Sequence, residues 1–493
     1  MTIGPATTGR VSTGSDRSSE TGRFGLACLI LWALPVLVII TGLVLRATFH
    51  VSKLFNEGWN AFHAAGFHAG EPLYHPAGAL LTNNYPPLSF VLTSYLLYLI
   101  PDAVFCGRIL AGLALIGITA AIAGIIGRLA RDRGSAIAAA LVFLTWSVAN
   151  FQPYLIANDP SFLALACMTA GLAFYLRQEP RGGAAVGAAA LIVVGLFIKH
   201  NSIALPLSLT LWLFWRDRAQ CLRFVLAGLI LTVLGLAVCR AAFGDAFITS
   251  LLSPRRYSVG MGIRNWLDLI DPAKPFVVFA VLAWSAFRRD AYIVLFSLFV
   301  MVAALVAAIV LMGEGTIVSA TFELPIASAL LSGRVLQLLA MGDTARRTVP
   351  RPVCLIVLAG CTFISPTLKD VLPVLNLPAW LAFQHQQEAE TLAVVHWISA
   401  RPGPALCATQ IYCYWAGKSA EVDSFNVGQA IETGALDPRV LTDRLTARYY
   451  ATIELEPGYS TSRFVPRVLD PIQANYTEHP MPKEGVVVYE KKR

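Results

Sequence analysis

The sequence predicts an α-helical polytopic membrane protein of about 11–13 transmembrane helices, closed by a small C-terminal α/β extracytoplasmic domain. Three observations carry this prediction. Only 14% of the 493 residues are charged and 56% are hydrophobic, with a mean hydropathy of +0.62, whereas a soluble domain carries about 25% charged residues. Apolar runs of about 20 residues recur, each long enough for a hydrocarbon core of roughly 30 Å. Short arginine clusters return after every second run, as they do in the cytoplasmic loops of membrane proteins. The net charge of +8 is therefore an orientation signal, and nucleic acid is excluded as a partner.

In order along the chain, residues 1–22 are rich in Gly, Ser and Thr and predict a disordered cytoplasmic tail. The transmembrane domain occupies 23–383. Its first run, Phe24 to Leu45, is too long for a signal-peptide core. A polar outer loop, 48–86, comes next. The basic clusters then mark one side: Arg128, Arg131 and Arg133; Arg177 and Arg181; Arg216, Arg218 and Arg223; Arg288 and Arg289; Arg346, Arg347 and Arg351. Leu88 to Ile100 is apolar but short, and crossing there would put the Arg128 cluster on the wrong face; a membrane-embedded half-helix fits better.

Residues 384–493 turn polar and predict a soluble α/β domain. "PALCATQIYCYW", "YATIEL" and "GVVVYEKK" read as strands and "DPRVLTDRLTARY" as a helix. Of nine cysteines, only Cys407 and Cys413 lie in polar surroundings. On one straight strand they would be too far apart to pair, and only a turn between them would allow it; the strand reading predicts no disulfide.

Chemistry concentrates on the outer side. Glu57 in "NEGWNAFHA" is a carboxylate beside aromatic residues at the membrane surface, suited to act as a general base. Asp159 in "ANDPSF" opens an apolar helix, where an acid caps well and could equally face a polar cavity. Lys199 and His200 end another helix and could hold a phosphate. Arg255, Arg256 and Arg264 form a basic loop on the side that should be poor in arginine, which points to an anionic ligand such as a lipid phosphate. Glu323 lies within an apolar stretch, where acids face interior cavities or cap a helix break. His50, His63, His68 and His75 lack metal-ligand spacing. No metal site or cofactor is predicted, and divalent-metal dependence stays open.

These residues, with Gly70 to Tyr74 ("GEPLY"), Tyr85 to Leu88 ("YPPL"), Lys199 to Ser202 and the segment "WAGKSAEVDSF" after the last helix, resemble the GT-C superfamily of integral membrane glycosyltransferases. Protein O-mannosyltransferases and aminoarabinose transferases of lipid A belong to that group. The family usually carries Asp in the first outer loop, where this chain has Glu57. The resemblance implies a GT-C-like fold and a polyprenyl-phosphate-linked sugar donor. It implies inverting transfer of a hexose or pentose to an acceptor hydroxyl, with membrane lipids around the site and a glycan, lipid or protein as acceptor. It makes Glu57 the base and Asp159 its partner, with Lys199, His200, Arg255, Arg256 and Arg264 around the donor phosphate. Tyr85, Asn158 and Glu323 would then line the substrate cavity. Composition fits a bacterial inner membrane, with the N-terminus cytoplasmic and the C-terminal domain periplasmic. The alternative is a transporter or flippase of a lipid-linked or anionic substrate, against which the absence of an internal repeat counts.

Overall fold

The computed structural model describes residues 14–177, 182–270, 274–316, 318–341, 351–363, 372–456 and 466–492. Helix α1 (Gly14–Arg46) begins inside the segment expected to be a disordered tail; residues 1–13, Arg181, Arg346 and Arg347 lie outside the described residues. A short outer-loop helix, α2 (Phe55–His68), precedes α3 (Leu88–Leu96). The bundle continues with α4 (Ala103–Ala130), α5 (Arg133–Phe151), α6 (Ser161–Arg177), α7 (Gly182–Ile198) and α8 (Ala204–Arg216). It closes with α9 (Arg218–Phe243), α10 (Asp245–Leu251), α11 (Val259–Ile270), α12 (Lys274–Phe287), α13 (Ala291–Val310), α14 (Glu323–Met341) and α15 (Arg351–Phe363).

Among the described residues six stretches are long and apolar enough to cross a membrane: Phe24–Arg46, Ala103–Ala130, Arg133–Phe151, Arg218–Phe243, Ala291–Val310 and Val318–Met341. Four shorter apolar helices stand among them. The nine residues of α3 rise only about 14 Å, so α3 is the expected half-helix; it packs between α2 and α4.

Aspartates set the starts of the long helices. Asp102, Asp132, Asp217 and Asp290 accept hydrogen bonds from the first free amides of α4, α5, α9 and α13, and a carboxylate there also meets the positive end of the helix dipole. Small residues set the packing distances. A side chain at Gly333 of α14 would stand 2.9 Å from Ile126 and 2.8 Å from Ala139, which lets α14 run nearly fully buried against α4, α5 and α13. By contrast α9 presents Leu222, Leu226, Leu229, Ile230 and Val233 outward, the pattern of a lipid-facing helix.

Helix α16 (Leu377–Ser399) leads into the C-terminal domain. There β1 (Ala405–Cys407), α17 (Ile411–Trp415), α18 (Ser424–Glu432), α19 (Arg439–Thr446), β2 (Thr452–Leu455), α20 (Pro466–Asn475), β3 (Tyr476–Pro480) and β4 (Val487–Lys491) follow. The sheet runs β1-β2-β4-β3, with β1 parallel to β2 and the other pairs antiparallel. The segment expected as one strand stops at Cys407, and α17 folds back over it. That turn brings Cys413 within 5.8 Å of Cys407 between Cα atoms and closes a disulfide, correcting the expectation of none. A loop this short constrains the unfolded chain modestly, so Cys407→Ser is expected to cost about 2 kcal/mol, read as a lowered melting temperature of the detergent-solubilised protein.

The C-terminal domain is seated on the segment that holds α2 and on the adjoining end of the bundle. The Ala103 amide donates to the Tyr414 hydroxyl at 2.8 Å and Trp415 Nε1 to Asp102 at 3.1 Å. The Asp423 amide donates to the Leu80 carbonyl at 2.7 Å. Gly58 of α2 lies flush on α17: a Cβ there would stand 2.1 Å from the Ile411 nitrogen, a backbone atom that cannot swing aside. Gly58→Ala is expected to lose about 1–3 kcal/mol by overpacking and to make the soluble domain sensitive to limited proteolysis; wild-type protection would remove Gly58 as the contact point.

Candidate active site

Glu57 sits in the first turn of α2 and is completely buried. Arg108 of α4 donates from Nε to Oε1 at 2.8 Å and from Nη2 to Oε2 at 2.9 Å. The Asn158 amide adds a bond to Oε1 and the Lys53 amide one to Oε2, each 2.9 Å. Four donors thus fill the carboxylate's four acceptor positions. Burial alone would raise the Glu57 pKa, but the charge and hydrogen bonds of Arg108, with Lys53 and the Asn158 amide, outweigh it and hold the group below its ordinary value. Arg108 is equally committed: its remaining N–H groups donate to the carbonyls of Ala47, Phe49 and Val51. The pair therefore pins the chain leaving α1 to α2 and α4.

A second buried pair stands nearby. Asp159 accepts from the Ser161 amide at 2.8 Å, as a cap for α6, and from Lys199 Nζ at 3.2 and 3.3 Å. Lys199 also donates to the Ser161 hydroxyl at 2.7 Å and stacks 4.8 Å from the Tyr85 ring centre. Burial opposes both charges, yet each partner offsets it, so Asp159 is lowered and Lys199 raised from their ordinary values. Asn158 links the two pairs: its side chain donates to the Glu57 carbonyl at 3.1 Å, and its own carbonyl accepts from Asn60 at 2.7 Å. A side chain at Gly107 would overlap Asn158 at 1.8 Å.

The outward cavity lies on the other side of α2. It encloses about 420 Å³ and is lined by Lys53, Asn56, Trp59, Asn84, Tyr85, Tyr154, Arg255, Asp423, Phe425 and Asn426 among others. Adjacent helical positions point roughly 100° apart, so Phe55, Asn56 and Trp59 face the cavity while Glu57 and Asn60 face the bundle. The cavity walls come from five regions: the loop that holds α2, the turn after α5, the arginine loop, the segment between α13 and α14, and the start of α18. Arg255 is half-buried, held by Thr316 Oγ1 at 3.2 Å and stacked 5.7 Å from the Phe425 ring centre. Gly315, at φ +75°, leaves room for that ring; a Cβ there would stand 2.3 Å from it. Lys53 donates to the Ile156 carbonyl at 3.0 Å. Burial first, then the Arg108 charge, push its pKa well down against the pull of Glu57.

Several expected site residues lie elsewhere. Glu57, Asp159, Lys199 and Asn158 form the packed layer behind the cavity; of the residues assigned to the site from sequence, Tyr85 and Arg255 are on its wall. Glu323 does not line it. Its carboxylate accepts from the Ala204 and Leu205 amides at 3.1 and 2.7 Å, capping α8 from a neighbouring helix. Arg256 faces the soluble domain, donating from its amide to Gln429 at 2.9 Å and meeting Glu432 at 3.5 Å. Arg264 is exposed on α11, away from the cavity wall. His200 is exposed and lies off the cavity wall. The histidines are scattered: His50 pairs with Glu388 at 3.1 Å, His68 meets the Ser94 carbonyl, and His63 packs on Trp59 and Phe90, where burial pushes it down to about 3.

The sequence reading missed Arg108, Lys53 and Asp423. Arg108 had a usable signal, a single charge within the apolar run 104–127. Asp423 lies inside "WAGKSAEVDSF" but looks there like an ordinary helix cap, which it also is.

No protein-family model matches the chain, and no curated protein matches it. Among solved structures it is similar to ArnT from Cupriavidus metallidurans in the apo state, with a TM-score of 0.59 at 14% identity over 93% of this chain and 97% of that one. The same protein bound to undecaprenyl phosphate gives a TM-score of 0.57 at 15% identity over the same shares. Archaeal oligosaccharyltransferase AglB from Archaeoglobus fulgidus, in complex with an inhibitory peptide and a dolichol-phosphate, gives 0.48 at 10% identity over 95% of this chain and 74% of that one. The likeness to ArnT is one of fold: the chain shares that protein's overall helical architecture over nearly its whole length.

Proposed function

We propose that this protein transfers a sugar from a polyprenyl-phosphate donor to an acceptor hydroxyl at the outer face of a bacterial cytoplasmic membrane. The observation that carries this reading is the cavity between the bundle and the C-terminal domain, whose wall combines the Arg255 guanidinium and the Lys53 amine with a carboxylate and five aromatic rings, Phe55, Trp59, Tyr85, Tyr154 and Phe425. Cations suit a phosphate, and aromatic faces suit sugar rings. The capture of undecaprenyl phosphate by the similarly folded ArnT supports a lipid-linked donor. The Cys407–Cys413 disulfide supports an oxidising compartment for the C-terminal domain, and this reading takes the cavity as periplasmic and the N-terminus as cytoplasmic.

In this mechanism the donor's isoprenoid tail stays in the bilayer and its phosphate meets Arg255 and Lys53. The acceptor oxygen attacks the anomeric carbon from the face opposite the phosphate, so the configuration inverts. As the anomeric C–O bond breaks, the growing phosphate charge is met by the Arg255 guanidinium, with Lys53 beside it as an N–H donor. Glu57 and Asp159 act as positioning residues: through Arg108 and Lys199 they hold α2, α4, α6 and the Tyr85 wall in register. The test is transfer of label from radiolabelled polyprenyl-phosphate sugars in membranes containing the full-length chain. Label is expected in an envelope acceptor; failure with every donor sugar would end this reading.

A further inference from the structure

We propose that Asp423, supplied by the soluble domain, is the general base that removes the proton of the acceptor hydroxyl. This rests on the glycosyl-transfer reading above and deepens it by assigning the base. Among the described residues lining the cavity, Asp423 is the only carboxylate. Glu57 is off the wall and neutralised by a guanidinium at 2.8 Å, and Asp159 is tied to Lys199. Among the described residues no lysine or arginine pairs with Asp423; its neighbours are neutral donors.

Those donors aim it. Trp59 Nε1 donates to Oδ2 at 2.9 Å from α2, and the Asn426 amide donates to Oδ1 at 3.1 Å from α18. The Asn426 side chain also donates to Oδ2. It lines the same cavity and lies 3.5 Å from Asn84. This amide is the exchangeable partner: an acceptor hydroxyl can replace it on Oδ2 while Trp59 and the backbone keep the carboxylate in place. Neutral donors orient a carboxylate without the strong preference for the charged form that a paired cation imposes. Burial raises the Asp423 pKa above its ordinary value against these hydrogen bonds, which suits a group that must accept a proton.

The step balances. The hydroxyl proton goes to Asp423, the oxygen lone pair forms the bond to the anomeric carbon, and the anomeric C–O bond breaks with its electron pair leaving on the polyprenyl phosphate. Asp423 later returns the proton to water. Because α18 belongs to the soluble domain, the base is in place only while that domain is docked.

The test compares wild type with Asp423→Asn, full-length and in lipid nanodiscs, reading label transfer from a radiolabelled polyprenyl-phosphate sugar into an envelope extract and, separately, binding of undecaprenyl phosphate. Asparagine keeps the size and, with its oxygen in the Oδ1 place, the bond from the Asn426 amide, but it turns an NH2 toward Trp59 Nε1 and gives up that contact. The expected result is a fall in kcat of about 10²–10⁴-fold with undecaprenyl-phosphate affinity unchanged. Transfer at the wild-type rate overturns the proposal, as does a loss of binding that accounts for the whole fall. If Asp423→Asn does not accumulate, Trp59→Phe carries the test: removing one aiming donor should lower kcat about tenfold with binding intact, and an unchanged kcat overturns the proposal. A wild type that transfers nothing is a different result, the failure of the glycosyl-transfer reading itself.

Discussion

Replacing Arg108 by alanine is expected to destabilise the protein by about 3–5 kcal/mol, the usual cost of stripping one partner from a buried ion pair. The loss has two parts. Glu57, wholly buried, would lose its counter-ion, so burial would push its pKa up, and the carbonyls of Ala47, Phe49 and Val51 would lose their donors together. Arg108→Lys should rescue little, because an ammonium has three donors in a different geometry from the guanidinium fork. The pH response follows from the sign of the Glu57 shift. Its folded pKa lies below the ordinary 4.5, so the pair's contribution is complete above that value and disappears only as pH falls through the lower folded pKa. Mild acid should therefore leave the protein intact. Thermal melting of purified Arg108→Ala in detergent checks the claim; a wild-type melting temperature would show that the pair is not what fastens α2 to the bundle.

That outcome also separates a structural carboxylate from a catalytic one, which the sequence could not do. In "NEGWNAFHA" the acid and its aromatic company were legible, and so was the turn from membrane to outer loop. Which way Glu57 points depends on Arg108, 51 positions later, and no local pattern records that partner. The bundle was easier to read, because hydrophobic length and arginine position are local quantities; α3 was recognised as too short to cross for the same reason. The Cys407–Cys413 bond was misjudged because it hangs on a turn after residue 407, where Ala408, Thr409 and Gln410 include no glycine or proline to mark the break. Glu323 was recognised as an unusual intramembrane acid, but its partners are the free amides of α8, more than a hundred residues away. Long-range polar pairing is where sequence reading ran out, and the cavity is built from such pairings.

Arg255 makes the sharpest contrast with Arg108. It is half-buried, and among the described residues no carboxylate pairs with it; its contacts are a threonine hydroxyl and an aromatic face. Arg255→Ala should therefore leave stability within about 0.5 kcal/mol of wild type while lowering kcat for a polyprenyl-phosphate donor about 10²–10³-fold, the usual cost of removing one group that meets charge growing in the transition state. Lysine at this position should recover part of the rate, since the charge returns without the planar stacking on Phe425 or a second N–H for the phosphate. The basic loop breaks the expected arginine-poor pattern of an outer surface, and this pair of measurements says why. If Arg255→Ala melts and turns over like wild type, the loop serves lipid headgroups in general. If activity falls while the melting temperature holds, the arginine is there for the departing phosphate. The two arginines then divide the labour of the site, one buried to shape the cavity and one on its wall to act in it.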